Sequence, residues 1–141
     1  MNNKILIAAI AIIIVVLSAV SISVNGKKQN EIGNPDSKHN VYLFYGDGCV
    51  YCDNLKEYLK TLPKEVQNKF NFVQYEVWSS KQNTDLMNEV GNHFKDEVSG
   101  VPYLVIGAKT FSGYAPDYND DILNAINDLE KNYYDVMNEI K

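Results

Sequence analysis

There is no arginine in this chain. Its 13 basic residues are all lysine and stand against 18 aspartates and glutamates, for a net charge of −5. Proteins that grip nucleic acid need a cationic face and favour the guanidinium fork, so that class of partner is set aside. Cysteine and histidine are nearly as scarce, at two each. A closed zinc site takes four ligands, and only His39 and His93 could join the two cysteines. His39 falls in a polar stretch and His93 in a helical pattern with no Cys/His spacing. Both are read as surface residues, and no metal is expected.

One long stretch lacks charge altogether. From Ile5 to Val24 no charged residue occurs, and Leu, Ile, Val and Ala dominate. Twenty residues of helix rise about 30 Å, the thickness of a bilayer's hydrocarbon core. Residues 1–24 are therefore read as an N-terminal transmembrane anchor or uncleaved signal. The alternative is a cleaved signal peptide and a secreted product, but the run is longer than a usual h-region and has no Ala-x-Ala site. No cysteine lies just beyond the run, which excludes a lipid-modified cysteine anchor. Lys4 and the α-amino group nearly balance Lys27 and Lys28 across the span. The short N-terminal tail before the run has the order of an export signal, which places the remainder outside the cytoplasm at a cell membrane. Residues 25–39 are polar, with Gly26, Gly33, Asn34 and Pro35 and no apolar periodicity, and are expected to form a flexible tether. Residues 40–141 are then one domain able to bury a single modest core.

The two cysteines, Cys49 and Cys52, lie two residues apart where a strand pattern gives way to a helix pattern. The apolar run Val41–Tyr45 precedes Gly46-Asp47-Gly48, and Cys52, Leu55, Leu59 and Leu62 share a helical face over Cys49–Leu62, stopped by Pro63. A pair at a helix start is suited to dithiol–disulfide exchange. Free amides and the positive dipole end favour a thiolate on the first cysteine, and one turn brings the second within reach. Phe72–Trp78 alternates as a strand, and Thr84–Phe94 carries Leu86, Val90 and Phe94 at helical spacing. Gly100-Val101-Pro102 leads into the strand Tyr103–Ile106, and a Gly107-Ala108 turn of type II′ returns the chain through Lys109-Thr110-Phe111. A last helix is expected over Asp120–Glu139, with Ile122, Ile126, Leu129, Tyr133, Val136 and Ile140 as its core stripe. The predicted order is β-α-β-α-β-β-α, an α/β domain.

That order, with Cys-x-x-Cys at the first helix and Val-Pro before the third strand, resembles the thioredoxin fold over residues 41 to about 140. The resemblance implies a central mixed sheet flanked by helices and a cis proline, Pro102, beside the cysteines. It also implies that the backbone of Val101 pairs with an extended substrate peptide. The chain departs from the cytoplasmic thioredoxins in having Gly48 where they have tryptophan and Val50-Tyr51 for their Gly-Pro. Leu43 stands in place of their buried aspartate, so their proton relay cannot be carried over. Tyr51 before the second cysteine, Val101-Pro102 and Ser112-Gly113-Tyr114 are similar to glutaredoxins, and the tyrosine also to bacterial disulfide isomerases.

Cys49 is the expected nucleophile and Cys52 the more buried resolving thiol, with Tyr51, Val101 and Pro102 forming the substrate platform. Asp47 and Asp53 oppose the helix dipole while Lys56 offsets part of their charge, so an intermediate reduction potential is expected. Trp78 is assigned to packing rather than chemistry. The function expected is an extracytoplasmic thiol–disulfide oxidoreductase working on protein thiols and disulfides with a partner redox protein, as a monomer without a bound cofactor. The alternatives are a non-catalytic thioredoxin-fold accessory module and a glutathione-dependent reductase. The latter is weakened by the lack of arginine for glutathione's carboxylates.

Overall fold

The computed structural model describes residues 31–140. The apolar run 5–24 and the first part of the tether lie outside them. Among the described residues no helix is long and apolar enough to cross a membrane. The strands are β1 (Asn40–Tyr45), β2 (Asn71–Glu76), β3 (Tyr103–Ile106) and β4 (Lys109–Ser112). The helices are α1 (Val50–Thr61), the short α2 (Lys64–Gln67), α3 (Lys81–Phe94) and α4 (Asn119–Asp128), with 3₁₀ turns at Pro116–Tyr118 and Val136–Asn138.

The strands make one mixed sheet in the order β2-β1-β3-β4. β1 runs parallel to β2 and antiparallel to β3, and β3 is antiparallel to β4. Gly107, at φ +58°, makes the tight β3–β4 turn that its position between the two strands requires. Four consecutive residues of β1, Val41–Phe44, are buried, as befits a central strand covered on both faces. Val41 and Leu43 join Leu55 and Leu59 of α1 and Ile122 and Ile126 of α4 on one face. Tyr42 and Phe44 join Met87 and Val90 of α3 and Tyr103 on the other. This is a mixed α/β domain compatible with a thioredoxin-like fold.

Pro63 follows α1 as expected. The end carbonyls of that helix are met from outside: the buried Gln67 amide donates to the carbonyls of Lys60 and Leu62 at 3.1 and 2.7 Å. α3 begins three residues earlier than its apolar spacing suggested, because the Ser80 side chain accepts from the Asn83 amide and caps it there. The strand expected over Phe72–Trp78 stops at Glu76: the Val77 amide still donates to the Tyr45 carbonyl, but the Glu76 carboxylate takes up those of Trp78 and Ser79 in a turn.

The largest difference is at the C-terminus. The helix expected over Asp120–Glu139 ends at Asp128. Asn132, Tyr133, Tyr134 and Asp135 are all poor helix formers, and Asp135 instead caps the turn at Val136–Asn138 through the Met137 amide. The bend places Val136 in the second core, to which Tyr42 and Tyr103 also belong, and not in the one lined by α4. Asp135 also accepts from Tyr42 Oη, Tyr133 Oη and Asn40 Nδ2 at 2.8–3.1 Å, which ties the tail to β1.

Of the tether expected over 25–39, residues 31–39 are described and lie against the domain. Gly33 bridges to Asn71, the Asn34 amide donates to the Phe70 carbonyl at 2.7 Å, and Ile32 packs on the first core. They cover the start of β2, an edge strand that would otherwise offer open backbone.

Candidate active site

Parallel pairing sets the C-terminal ends of β1 and β2 side by side, and the antiparallel β3 begins at that same end. Three connections therefore meet there in the lateral order of their strands. The turn after β2 carries Trp78, the loop after β1 carries Gly46–Cys49, and the segment before β3 carries Val101-Pro102.

Cys49 and Cys52 are joined in a disulfide, with Cα atoms 5.2 Å apart. Cys49 is the N-cap of α1: its backbone is extended, and its sulfur accepts from the Cys52 amide at 3.2 Å. An amide that normally meets a Ser, Thr or Asp oxygen is thus aimed at the Cys49 sulfur. Gly48, at φ +81°, turns the loop into the helix, and the Cys49 amide donates back to the Gly46 carbonyl at 3.1 Å. Cys49 keeps 7% of its surface exposed, whereas Cys52, the third residue of α1, is fully buried. Cys49 is thus the outer sulfur of the pair and Cys52 the inner one.

The Val101–Pro102 peptide is cis, and the Val101 carbonyl oxygen lies 3.9 Å from Cys49 Sγ. Two motifs 52 residues apart in sequence are brought into contact. Pro102 is buried, and its carbonyl accepts from the Gly113 amide at 2.8 Å, one step beyond the β3–β4 ladder. Val101 precedes the first β3 residue that pairs with β1. Tyr51 stands out from α1 at 62% exposure beside Val50 at 66%.

The charges divide as follows. Asp47 and Asp53 are exposed on either side of the disulfide. Lys56 sets its Nζ over the Tyr45 ring, 3.7 Å from the centroid. Burial lowers the Lys56 pKa, against the opposing pull of Asp53 and Asp47. Leu43, where thioredoxins keep an acid, is wholly buried in the first core. His39 contacts the Lys69 carbonyl and His93 the Tyr134 hydroxyl, each remote from the cysteines in these contacts. Among the described residues no three of His, Cys, Asp and Glu gather as metal ligands.

Two residues that periodicity did not single out as functional complete the site. The Glu76 carboxylate accepts from the Trp78 amide at 2.9 Å, the Ser79 amide at 2.8 Å, the Ser79 hydroxyl and, across the strands, the Asp47 amide at 3.4 Å. The Ser79 bonds are the chief reason its pKa is held below the usual value. Glu76 thereby joins the turn after β2 to the loop that leads into the disulfide. The Trp78 ring lies on Gly46, where a β-carbon would overlap the indole, yet 63% of Trp78 stays exposed. A tryptophan just past a strand end was the available signal; parallel pairing with β1 then sets it on Gly46, three residues before Cys49. No family model matches the chain, and neither a curated protein nor a solved structure does.

Proposed function

We propose that this protein is a thiol–disulfide oxidoreductase with a thioredoxin-like domain over residues 40–141. The observation that carries the proposal is the contact between the Cys49 sulfur, at the N-terminus of α1, and the Val101 carbonyl before a cis proline. In the oxidising direction a substrate thiolate attacks Cys49 Sγ. The Cys49–Cys52 bond breaks, a substrate–Cys49 disulfide forms, and Cys52 leaves as thiolate. A second substrate thiolate attacks the substrate sulfur, forms the substrate disulfide and expels the Cys49 thiolate. Two electrons pass to the protein, and the protons lost in forming the two substrate thiolates go to solvent or to the cysteines. The reducing direction runs the same steps backwards, beginning with attack by Cys49. No bound cofactor enters; a partner redox protein restores the starting state. Val101, Pro102 and Tyr51 would hold the substrate segment, Val101 through its backbone.

The test is covalent trapping. Cys52→Ala should accumulate mixed disulfides through Cys49, and Cys49→Ala should accumulate none. Failure of both single-cysteine variants to trap any partner, together with a pair that does not cycle with dithiothreitol, ends the proposal. The 7% exposure of Cys49 favours one other reading, a non-catalytic module with a structural disulfide. A reduction potential below about −300 mV and no insulin reduction would select it.

We further propose that residues 5–24 anchor the chain in the cell membrane with the domain outside the cytoplasm. Membranes washed at alkaline pH should retain the full chain, and protease added from outside should reach residues 40–141. Recovery of a shortened, soluble product would instead indicate signal cleavage and secretion.

A further inference from the structure

We propose that this site selects cysteine-bearing protein segments with a lysine or arginine close to the cysteine, and that Trp78 is the specificity-determining residue receiving that cation. The inference rests on the exchange reading above and names its substrate class. Val50, Tyr51 and Trp78 are the three most exposed large hydrophobic residues among those described, at 62–66%, and all three belong to the redox end of the sheet. Single exposed apolar side chains need no explanation, but three around one disulfide do. Trp78 is tied to that disulfide by a short path. Its ring lies on Gly46, whose carbonyl holds the Cys49 amide, and its own amide is fixed by Glu76. With Gly46 under one face of the indole, the exposure leaves the rest to a ligand.

The surroundings say which ligand. Asp47, Asp53 and Glu76 bring three carboxylates to this end, and Glu76 is held ionised by its four donors. Against them stands Lys56, folded over Tyr45. A purely apolar segment would strip water from these carboxylates with no return, and an acidic one would be repelled. A cation meets both features: the indole face attracts it through the ring quadrupole, and Asp47, one residue from Gly46, supplies opposite charge. Trp78 lies across the redox loop from Val101, because β2 and β3 flank β1 on opposite sides. The cation therefore sits on the far side of the substrate cysteine from the stretch paired with Val101.

The experiment measures kcat/KM for reduced full-length protein in detergent with three peptides, each carrying one internal disulfide. They differ only in Arg, Ala or Glu beside a cysteine. In each turnover the peptide disulfide takes two electrons and two protons to become a dithiol, Cys49–Cys52 is oxidised, and dithiothreitol reduces it again. Arg should exceed Glu by about tenfold at about 50 mM salt and by less than about threefold at about 1 M. Trp78→Ala should bring the low-salt ratio below about threefold, Trp78→Phe should keep most of it, and Asp47→Asn should lower it. Ratios within one variant cancel any loss of active fraction. Should Trp78→Ala not fold, Trp78→Gln and the salt series on the unaltered protein decide the matter. Equal rates for the three peptides, or a ratio unchanged without the indole, overturn this inference alone. No turnover with any peptide and no cycling with dithiothreitol overturn the exchange reading itself.

Discussion

The Cys52 amide is directed at Cys49 Sγ from the first turn of α1, and that contact favours a thiolate once the disulfide is reduced. Asp47 and Asp53 work against it, and Lys56, with its Nζ over Tyr45, offsets part of their charge. The reduced Cys49 thiol should therefore titrate below the about 8.5 of a free cysteine but well above the about 3.5 of the strongest oxidants. Thiolate absorbance followed across pH, with Cys49→Ser as control, measures it; a midpoint below about 5 would contradict this balance of charges. Glu76 makes a second claim at this scale. Its folded pKa is depressed, first by the Ser79 bonds, so its stabilisation is complete above the unfolded carboxylate pKa and is lost as pH falls through the lower folded value. The melting temperature of the unaltered protein should exceed that of Glu76→Gln at neutral pH, and the gap should close on acidification below about pH 4. A gap that stays constant to pH 2 would show that the charge of Glu76 does not hold the turn.

At the scale of elements, the two central strands were legible in the sequence to within a residue, whereas the start of α3 and the ends of β2 and of the last helix were not. Val41–Tyr45 and Tyr103–Ile106 are short apolar runs bounded by glycine or proline, and both are strands within a residue of expectation. Cys49 and Cys52 stood out by their spacing at a helix start, whereas Val101 and Pro102 were pointed to by the resemblance; the fold brings the Val101 carbonyl to Cys49 Sγ. The last helix misled because Val136 and Ile140 continue a helical spacing while belonging to a different core. Periodicity records that a residue is buried, not against which face of the sheet. The deciding interaction is between distant residues, Asp135 with Tyr42 and Asn40, and one-dimensional pattern carries no trace of it. Burial raises the Asp135 pKa, but the bonds from Tyr133, Tyr42, Asn40 and the Met137 amide together outweigh it and hold the group ionised. Tyr42→Phe removes one donor from this carboxylate and should cost about 1–2 kcal/mol, read from denaturant midpoints. Asp135→Asn in the same background should add less than it does alone, because the two side chains share one bond. Full additivity would mean that the tail is held by Val136 packing instead.

At the scale of the whole domain, the sheet is packed on both faces, and the Cys49–Cys52 disulfide lies at one end of it. Cys52 is buried on α1, the helix that gives Leu55 to the first core, while Tyr103 of the second core directly follows Pro102. Redox poise is a property of this whole arrangement, since the potential reports how far the folded protein prefers dithiol to disulfide, and about 30 mV corresponds to about 1.4 kcal/mol. Each term in that preference is visible here and none is extreme. The Cys52 amide and the helix terminus favour the reduced thiolate. Asp47, Asp53 and the net charge of −5 oppose it. The Val101 carbonyl at 3.9 Å places negative oxygen against the sulfur and also disfavours a thiolate. The potential should therefore fall between the about −270 mV of thioredoxin and the about −120 mV of the strongest periplasmic oxidant. Equilibration with glutathione buffers, followed by acid quenching and thiol counting, measures it. Asp47→Asn should move the value upward, because removing a nearby negative charge stabilises the Cys49 thiolate and with it the reduced form. A value that falls, or does not move beyond error, would mean that Asp47 is electrostatically remote from the sulfur despite its place two residues away.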